Sequence, residues 1–244
     1  MRPALDLIAR IGDLPAGEVV DLGCGDGAVA DALRAAFAGH VLVGVDSSSQ
    51  MLAAARAGGR YDRLEQADIA GWAPERAPAL IYSNAALNWV PDHAGLLPRL
   101  AAALAPGGVL AVQVPGQHGA PSHALMHQLA LRLAPGWFEA TPATHVRDPA
   151  EYHRLLMPLG AVLAWETTYV QHLPPTEDLH PVLHFTRSTA MRPYLQALDP
   201  ADHHRFLATL AAAMHEAYPP LPDGSVLMPF RRVFFVLRVP HGRA

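Results

Sequence analysis

Short apolar runs alternate with longer stretches of helical periodicity through the first half of the chain. "EVVDL" (18–22), "VLVGV" (41–45), "ALIYS" (79–83) and "GVLAVQV" (108–114) are too short for helices. They also lack the strict apolar–polar alternation of a strand with one wet face, so they predict strands covered on both sides. A weaker strand falls at 61–65, and helices are predicted over 4–11, 27–38, 48–57 and 92–104. Strands and helices in this order build a parallel sheet, and right-handed crossovers wind it in both directions.

The second half has a different rhythm. Helical patterns at 121–134 and 148–158 flank a loop rich in Pro, Thr and His. "AVLAWETTYV" (161–170) predicts a strand, a mostly helical block follows over about 176–217, and "PFRRVFFVLRV" (229–239) predicts a last strand. There is neither a long linker nor an internal repeat. The expectation is one α/β domain over 1–244: a doubly wound, Rossmann-like, mostly parallel sheet with a helical cap inserted in the C-terminal half.

Candidate chemistry begins at the end of the first strand. In "VVDLGCGDGAVADAL", Gly23, Gly25 and Gly27 mark the passage from strand to helix. Glycine tolerates positive φ and carries no Cβ to keep a ligand off the main chain. Asp46 ends the second strand, where an acid can accept hydrogen bonds from both hydroxyls of a ribose. Strand, glycine turn and acid together predict an adenosine-type cofactor. "GCGDGA" also fits the loose pattern of nicotinamide-binding proteins, so the turn alone leaves that reading open. Asp21 argues against it, because a carboxylate beside a pyrophosphate is repelled. Beside the ammonium group or the sulfonium of S-adenosylmethionine (SAM) the same carboxylate is favourable. Asp68, in "QADIA", is placed to meet an adenine amino group.

Composition narrows the choice. The chain has 244 residues, of which 51 % are hydrophobic and 16 % charged, enough to bury a core without staples. A formal net charge of −4 argues against a nucleic-acid partner. All 18 basic residues are arginine, which removes Schiff-base chemistry and a phosphate-binding P-loop lysine. The one cysteine, Cys24, suits a reducing compartment. No apolar run approaches the roughly 18–20 residues needed to cross a bilayer, and "MRPALDLIARI" lacks a signal-peptide layout. The expectation is a cytoplasmic protein with no membrane partner. His123 and His127 stand four apart, but no Glu follows the first and no cysteine cluster exists, so no metal site is expected.

At this point the chain resembles the class I SAM-dependent methyltransferases. "DLGCGDG", "GVDSSSQMLAAAR", "EQADI", "SNAALNWVPDH", "PGGVLAVQVP" and "PSHALM" are similar to successive motifs of the trans-aconitate 2-methyltransferase family. So are "WETTYVQHLP", "TAMRPYLQAL" and "PFRRVFFVLRV", and the similarity spans nearly the whole chain. There is one departure. The family carries an aromatic- and arginine-rich stretch ahead of "RPALDLIARI", where this sequence starts at Met1. In related enzymes such a stretch closes over the cofactor.

The resemblance implies an O-methyltransferase that forms the monomethyl ester of a small polycarboxylic acid, trans-aconitate first. Other acceptors, such as a malonyl thioester, and a SAM-binding protein without turnover stay open as alternatives. The implied cofactor residues are Asp21, Gly23, Cys24, Gly25, Asp46, Ser47, Met51, Asp68, Ile69, Ser83 and Asn84. The implied substrate residues are Trp89, His123, Tyr169, Arg192 and Arg232, with the 176–217 cap over the substrate site. A carboxyl group with a pKa of roughly 3–5 is ionised at pH 7 and needs no general base. No catalytic acid, base or nucleophile is therefore expected, only positioning and desolvation. Arginine forks suit the non-reacting carboxylates of such a substrate.

Overall fold

The computed structural model describes residues 1–133, 146–187 and 189–242. These residues form two compact units. One takes in residues up to 115, 146–167 and those from 232; the other takes in 116–133 and 168–231.

The first unit begins with α1 (Arg2–Ile8), whose Pro3 sits in the first turn where no amide hydrogen is needed. Then follow β1 (Val19–Leu22), α2 (Ala30–Ala36), β2 (Leu42–Asp46), α3 (Ser49–Gly58), β3 (Arg63–Gln66), β4 (Leu80–Asn84), α4 (His93–Ala102) and β5 (Val109–Pro115). β1, β2, β4 and β5 lie within about a residue or two of their apolar runs, and β3, an edge strand without one, starts two residues into the predicted 61–65. Periodicity places α2 three residues too early, because the chain is still turning through Gly27, at φ 84°, when the helical pattern begins. Ser48 caps α3 by accepting from the Met51 N–H, and Gly59 ends it in the left-handed conformation at φ 63°.

The loop after α5 (Pro121–Leu133) lies mostly outside the described residues. The chain continues with α6 (Pro149–Leu156), opened by a capping box between Asp148 and Glu151, and β6 (Ala161–Leu173). The helical block resolves into α7 (Pro181–Arg187), α8 (Arg192–Ala197) and α9 (Pro200–Ala217). The last strand, β7 (Val226–Arg238), begins three residues before its apolar run.

The seven strands lie in the order β3-β2-β1-β4-β5-β7-β6. The pairs β2–β3, β1–β2, β1–β4 and β4–β5 are parallel, and β7 runs antiparallel to β5. The strand order reverses direction between β1 and β4, and the carboxyl ends of those strands open the crevice where such sheets bind ligands.

Alternation along the strands sets two faces in the first unit. Val20, Leu22, Val43, Val45, Ile81, Leu110, Val112, Val114, Val233 and Phe235 join one buried core with α4 and α6. Their neighbours Asp21, Gly44, Asp46, Tyr82, Asn84 and Gln113 therefore share the opposite face. The second unit has its own core, in which Met126, Val182, Phe206, Leu210, Met214 and Phe230 are buried. Among the described residues no helix is long and apolar enough to cross a membrane.

Candidate active site

Gly23, Gly25 and Gly27 have φ values of 82°, 56° and 84°, all in the region that other residues avoid. At Gly23 there is a second constraint: a Cβ there would lie 2.2 Å from the Ala86 Cβ and 3.4 Å from Ile69 Cδ1. The turn is thus packed against the segment that follows β4 and the one that follows β3. At Gly25 a Cβ would meet nothing within 4 Å, so this glycine faces open space.

The amides of the turn are mostly committed. Gly23 and Cys24 donate to the Val45 carbonyl at 2.8 and 3.0 Å, and Gly27 donates to the Cys24 carbonyl at 3.0 Å. Gly25 donates to Asp46 Oδ2 at 2.9 Å, and Ala28 to Asp26 Oδ1 at 3.2 Å. A pyrophosphate-binding turn needs such N–H groups aimed outward. With these amides spent inside the protein, the turn suits a cofactor without a pyrophosphate.

Asp46 is half-buried and accepts from both sides: Gly25 N–H on Oδ2 and Ser48 N–H on Oδ1, each at 2.9 Å. Each oxygen keeps a further lone pair, the number two ribose hydroxyls require. Ser47 is exposed, and its carbonyl accepts from Gln66 Nε2 at 3.2 Å. Met51 is 40 % exposed on α3. Asp68 is exposed and closes its own turn onto the Ala70 N–H at 2.9 Å. Arg99, on α4, holds that turn from below by donating to the carbonyls of Ile69, Ala70 and Trp72. No sequence signal marked Arg99, because its role depends on where α4 packs.

Asp21 is 3 % exposed, and its Oδ2 accepts from the Tyr61 hydroxyl at 2.7 Å. Burial pushes its carboxyl up to about 7, against the lowering effect of the Tyr61 bond. Burial, with the nearby Asp21 and Asp46, pushes the Cys24 thiol up to about 12, so it is no nucleophile at neutral pH. Ser83 is fully buried, and its hydroxyl donates to the Leu22 carbonyl at 2.7 Å, joining β4 to β1.

Two amides beside it are different. Asn84 Oδ1 and both side-chain polar atoms of Gln113 are buried without a hydrogen-bond partner among the described residues. Asn84 and Gln113 are register partners at the carboxyl ends of β4 and β5. Buried unpaired amides cost roughly 1–3 kcal/mol each, so such a cluster marks a place that something else completes. Two acceptors and one donor match a zwitterionic amino-acid group, which brings both an ammonium and a carboxylate. The open face at Gly25, the acid at Asp46 and this pair together fit SAM. Gln113 was missed, although a lone Gln inside "VLAVQV" was the visible signal.

The segment after β4 is strained at both ends. Ala85 and Asp92, at φ 57° and 56°, are the two residues other than glycine with positive φ among those described. Between them Trp89 is 66 % exposed. With its amide turned to suit its neighbours, Asn88 donates to the Ala85 carbonyl at 3.0 Å and accepts from the Trp89 indole N–H at 3.2 Å. A buried relay holds the segment from below. His93 Nε2 lies 2.8 Å from the Leu87 carbonyl, which only accepts, so that nitrogen carries the proton. His93 Nδ1 then accepts from the Tyr152 hydroxyl at 2.7 Å, and the Tyr152 oxygen accepts from the Arg147 N–H at 3.3 Å.

Arg232 lies well inside β7, opposite Pro115, rather than at the start of the strand as its place in the sequence suggested. In the second unit, Arg192 is exposed at the first position of α8, and Tyr169 is half-buried on β6. His123 is half-buried on α5, with Nδ1 3.0 Å from Ser122 Oγ. Burial, and then the neighbouring His118, pull its pKa down to about 4. It is neutral at pH 7 and acts as a hydrogen-bonding group, not a cation. Among the described residues no three His, Cys, Asp or Glu side chains stand together to hold a metal.

A family model described as a methyltransferase domain matches residues 2–161. The fold is shared with the YcgJ protein from Bacillus subtilis, at a TM-score of 0.63 and 14 % identity over 99 % of this chain and 100 % of that one. The chain thus has the domain and the fold of a class I SAM-dependent methyltransferase. The trans-aconitate 2-methyltransferase of Methylobacterium nodulans is 43 % identical over 97 % of this chain and 92 % of its own length. That of Methylobacterium radiotolerans is 44 % identical over the same shares. The chain belongs to the trans-aconitate 2-methyltransferase family.

Proposed function

We propose that the protein forms a monomethyl ester of trans-aconitate, with SAM as methyl donor. The observation that carries this reading is a glycine turn with its amides spent internally and its open face at Gly25, in a chain more than two-fifths identical to enzymes of that name. Bound there, SAM supplies a methyl group on a cationic sulfur, a strong electrophile toward a carboxylate oxygen.

The protein's own part is placement. The acceptor carboxylate is ionised at neutral pH, so no residue has to remove a proton. Asp46 takes the ribose hydroxyls. Asp21, Asn84 and Gln113 take the amino-acid end, and Gly23, Cys24 and Gly25 let it approach the main chain. Ser47, Met51, Asp68 and Ile69 line the adenosine side. Ser83, its hydroxyl bonded to Leu22, acts by fixing the end of β4. On the acceptor side, Arg192 and Arg232 are the candidates for the non-reacting carboxylates. His123 and Tyr169 are candidate hydrogen-bond donors, and Trp89 is a candidate wall against water. The helical segment of about 176–217 enters this reading as the element that carries Arg192. A trianion held by guanidinium forks and shielded from water meets the electrophile without a solvent shell in the way.

The test is methyl transfer from isotopically labelled SAM to trans-aconitate, with the product identified by mass. A labelled monomethyl ester is expected. Active protein that labels only other acids, such as a malonyl thioester, overturns the choice of substrate while leaving the methyltransferase intact.

A further inference from the structure

Tyr61 is absent from the cofactor residues implied by the motifs, yet the structure is built around it. Two glycines make its place. A Cβ on Gly44, in the middle of β2, would lie 3.0 Å from two ring carbons of Tyr61 and 2.7 Å from Leu64 Cδ2. A Cβ on Gly27 would lie 3.0 Å from Tyr61 Cε2. The ring thus fills a slot that runs from the sheet to the glycine turn.

The next residue anchors it. Asp62 Oδ2 accepts from the Leu42 N–H at 2.8 Å, the Asp62 N–H donates to the Leu42 carbonyl at 2.9 Å, and Asp62 Oδ1 pairs with Arg34 at 2.9 Å. Held in this way, the Tyr61 hydroxyl reaches Asp21 Oδ2 at 2.7 Å. Tyr61 is the one donor to that carboxylate among the described residues. The other ionisable groups that face Asp21 are Asp46 at the end of β2, Cys24 in the turn and Tyr82 on β4. None of them is a cation, and no ion pair among the described residues reaches Asp21.

A buried carboxylate with one neutral donor and an acid as neighbour is costly to ionise. It is repaid when a cation arrives. We propose that Tyr61 is a positioning residue for cofactor binding: its hydroxyl keeps Asp21 ionised and aimed beneath the glycine turn, where the carboxylate favours the α-ammonium group of the cofactor. The proposal rests on the reading of the turn as a SAM site. Affinity then depends on pH. It is full where Asp21 is ionised and falls as pH drops through the neutral range, in line with the direction in which burial moves this carboxyl. Removing the hydroxyl withdraws the one bond that favours the ionised form and moves the dependence to higher pH.

The experiment is calorimetric titration of the full chain with S-adenosylhomocysteine (SAH) from pH 6 to 9. SAH carries the α-ammonium group but no sulfonium. Relative to Asp21→Asn, wild-type affinity is expected to rise through neutral pH and level off. In Tyr61→Phe the midpoint should move up by about one unit, which gives roughly tenfold weaker binding near pH 6.5 and near-normal binding at pH 9. Asp21→Asn should lack this rise and show only the titration of the ligand's own ammonium group, the baseline against which the other two profiles are read. A wild-type profile that is flat relative to Asp21→Asn, or a uniform loss in Tyr61→Phe with an unmoved midpoint, overturns the proposal and leaves Tyr61 as packing.

Should Tyr61→Phe fail to fold, the carboxyl carbon resonance of Asp21 still decides when 3-fluorotyrosine, a stronger donor of the same shape, replaces Tyr61. A midpoint that falls supports the proposal, and one that does not move overturns it. Failure of folded wild-type protein to bind SAH at any pH is a different result, and it removes the methyltransferase reading itself.

Discussion

Asp46 ties the end of β2 to the glycine turn through Gly25 and to the approach of α3 through Ser48, while keeping a lone pair on each oxygen. Asp46→Ala is expected to weaken SAH binding by at least about 1.5 kcal/mol, the size of a hydrogen bond to a charged group, measured by calorimetry. An unchanged dissociation constant would remove its role at the ribose. His123 gives a second handle at this scale. Its folded pKa, about 4, lies below the unfolded value of 6.5. The unfolded chain therefore binds the proton first, and the neutral form's contribution, present above 6.5, is lost as pH falls toward 4. Against His123→Asn, the wild-type melting temperature should lose ground between pH 7.5 and 5. Parallel melting curves over that range would show that the imidazole is not buried as described.

At the scale of elements, the segment between β4 and α4 stands out. Strained backbone at Ala85 and Asp92 persists because Gly23 packing, the Asn88 side chain and the His93–Tyr152 relay over-determine it. Asn88→Ala removes the grip on the Trp89 indole. The expected result is a KM for the acceptor raised about fivefold, the equivalent of roughly 1 kcal/mol for a lost hydrogen bond, with SAH affinity within twofold of wild type. A KM that does not move would mean that Trp89 takes no part in acceptor binding. Much of this level was legible in the chain. Apolar runs marked β1, β2, β4 and β5 because these strands are buried on both faces, while β3, the half-exposed edge strand Arg63–Gln66, left only a weak signal. The start of α2 was not legible, because backbone conformation at Gly27, rather than side-chain pattern, delays the helix.

For the whole molecule, the sharpest prediction concerns Arg192, which is exposed on α8. Arg192→Ala should raise the acceptor KM by about tenfold or more, the loss expected for a charge-assisted bidentate contact, and leave SAH affinity nearly unchanged. Equal damage to both would point to a folding defect instead. The strand order with an antiparallel β7 beside β5 belongs to this scale too. The apolar run at 229–239 predicted a strand, but its direction depends on the path of the chain through the helices before it.

By itself the sequence determined the strands, the glycine turn, the acids at Asp21 and Asp46, and the family. Each of these rests on local pattern or on side chains whose chemistry is independent of distant partners. Only the tertiary structure decided that the turn spends its amides internally, that Ser83 is a strand tie and that Gln113 and Asn84 share an unpaired corner. It alone brought Tyr61 onto Asp21. These facts depend on residues far apart in the chain meeting across a packed sheet, and spacing along one strand holds no record of what lies on the next.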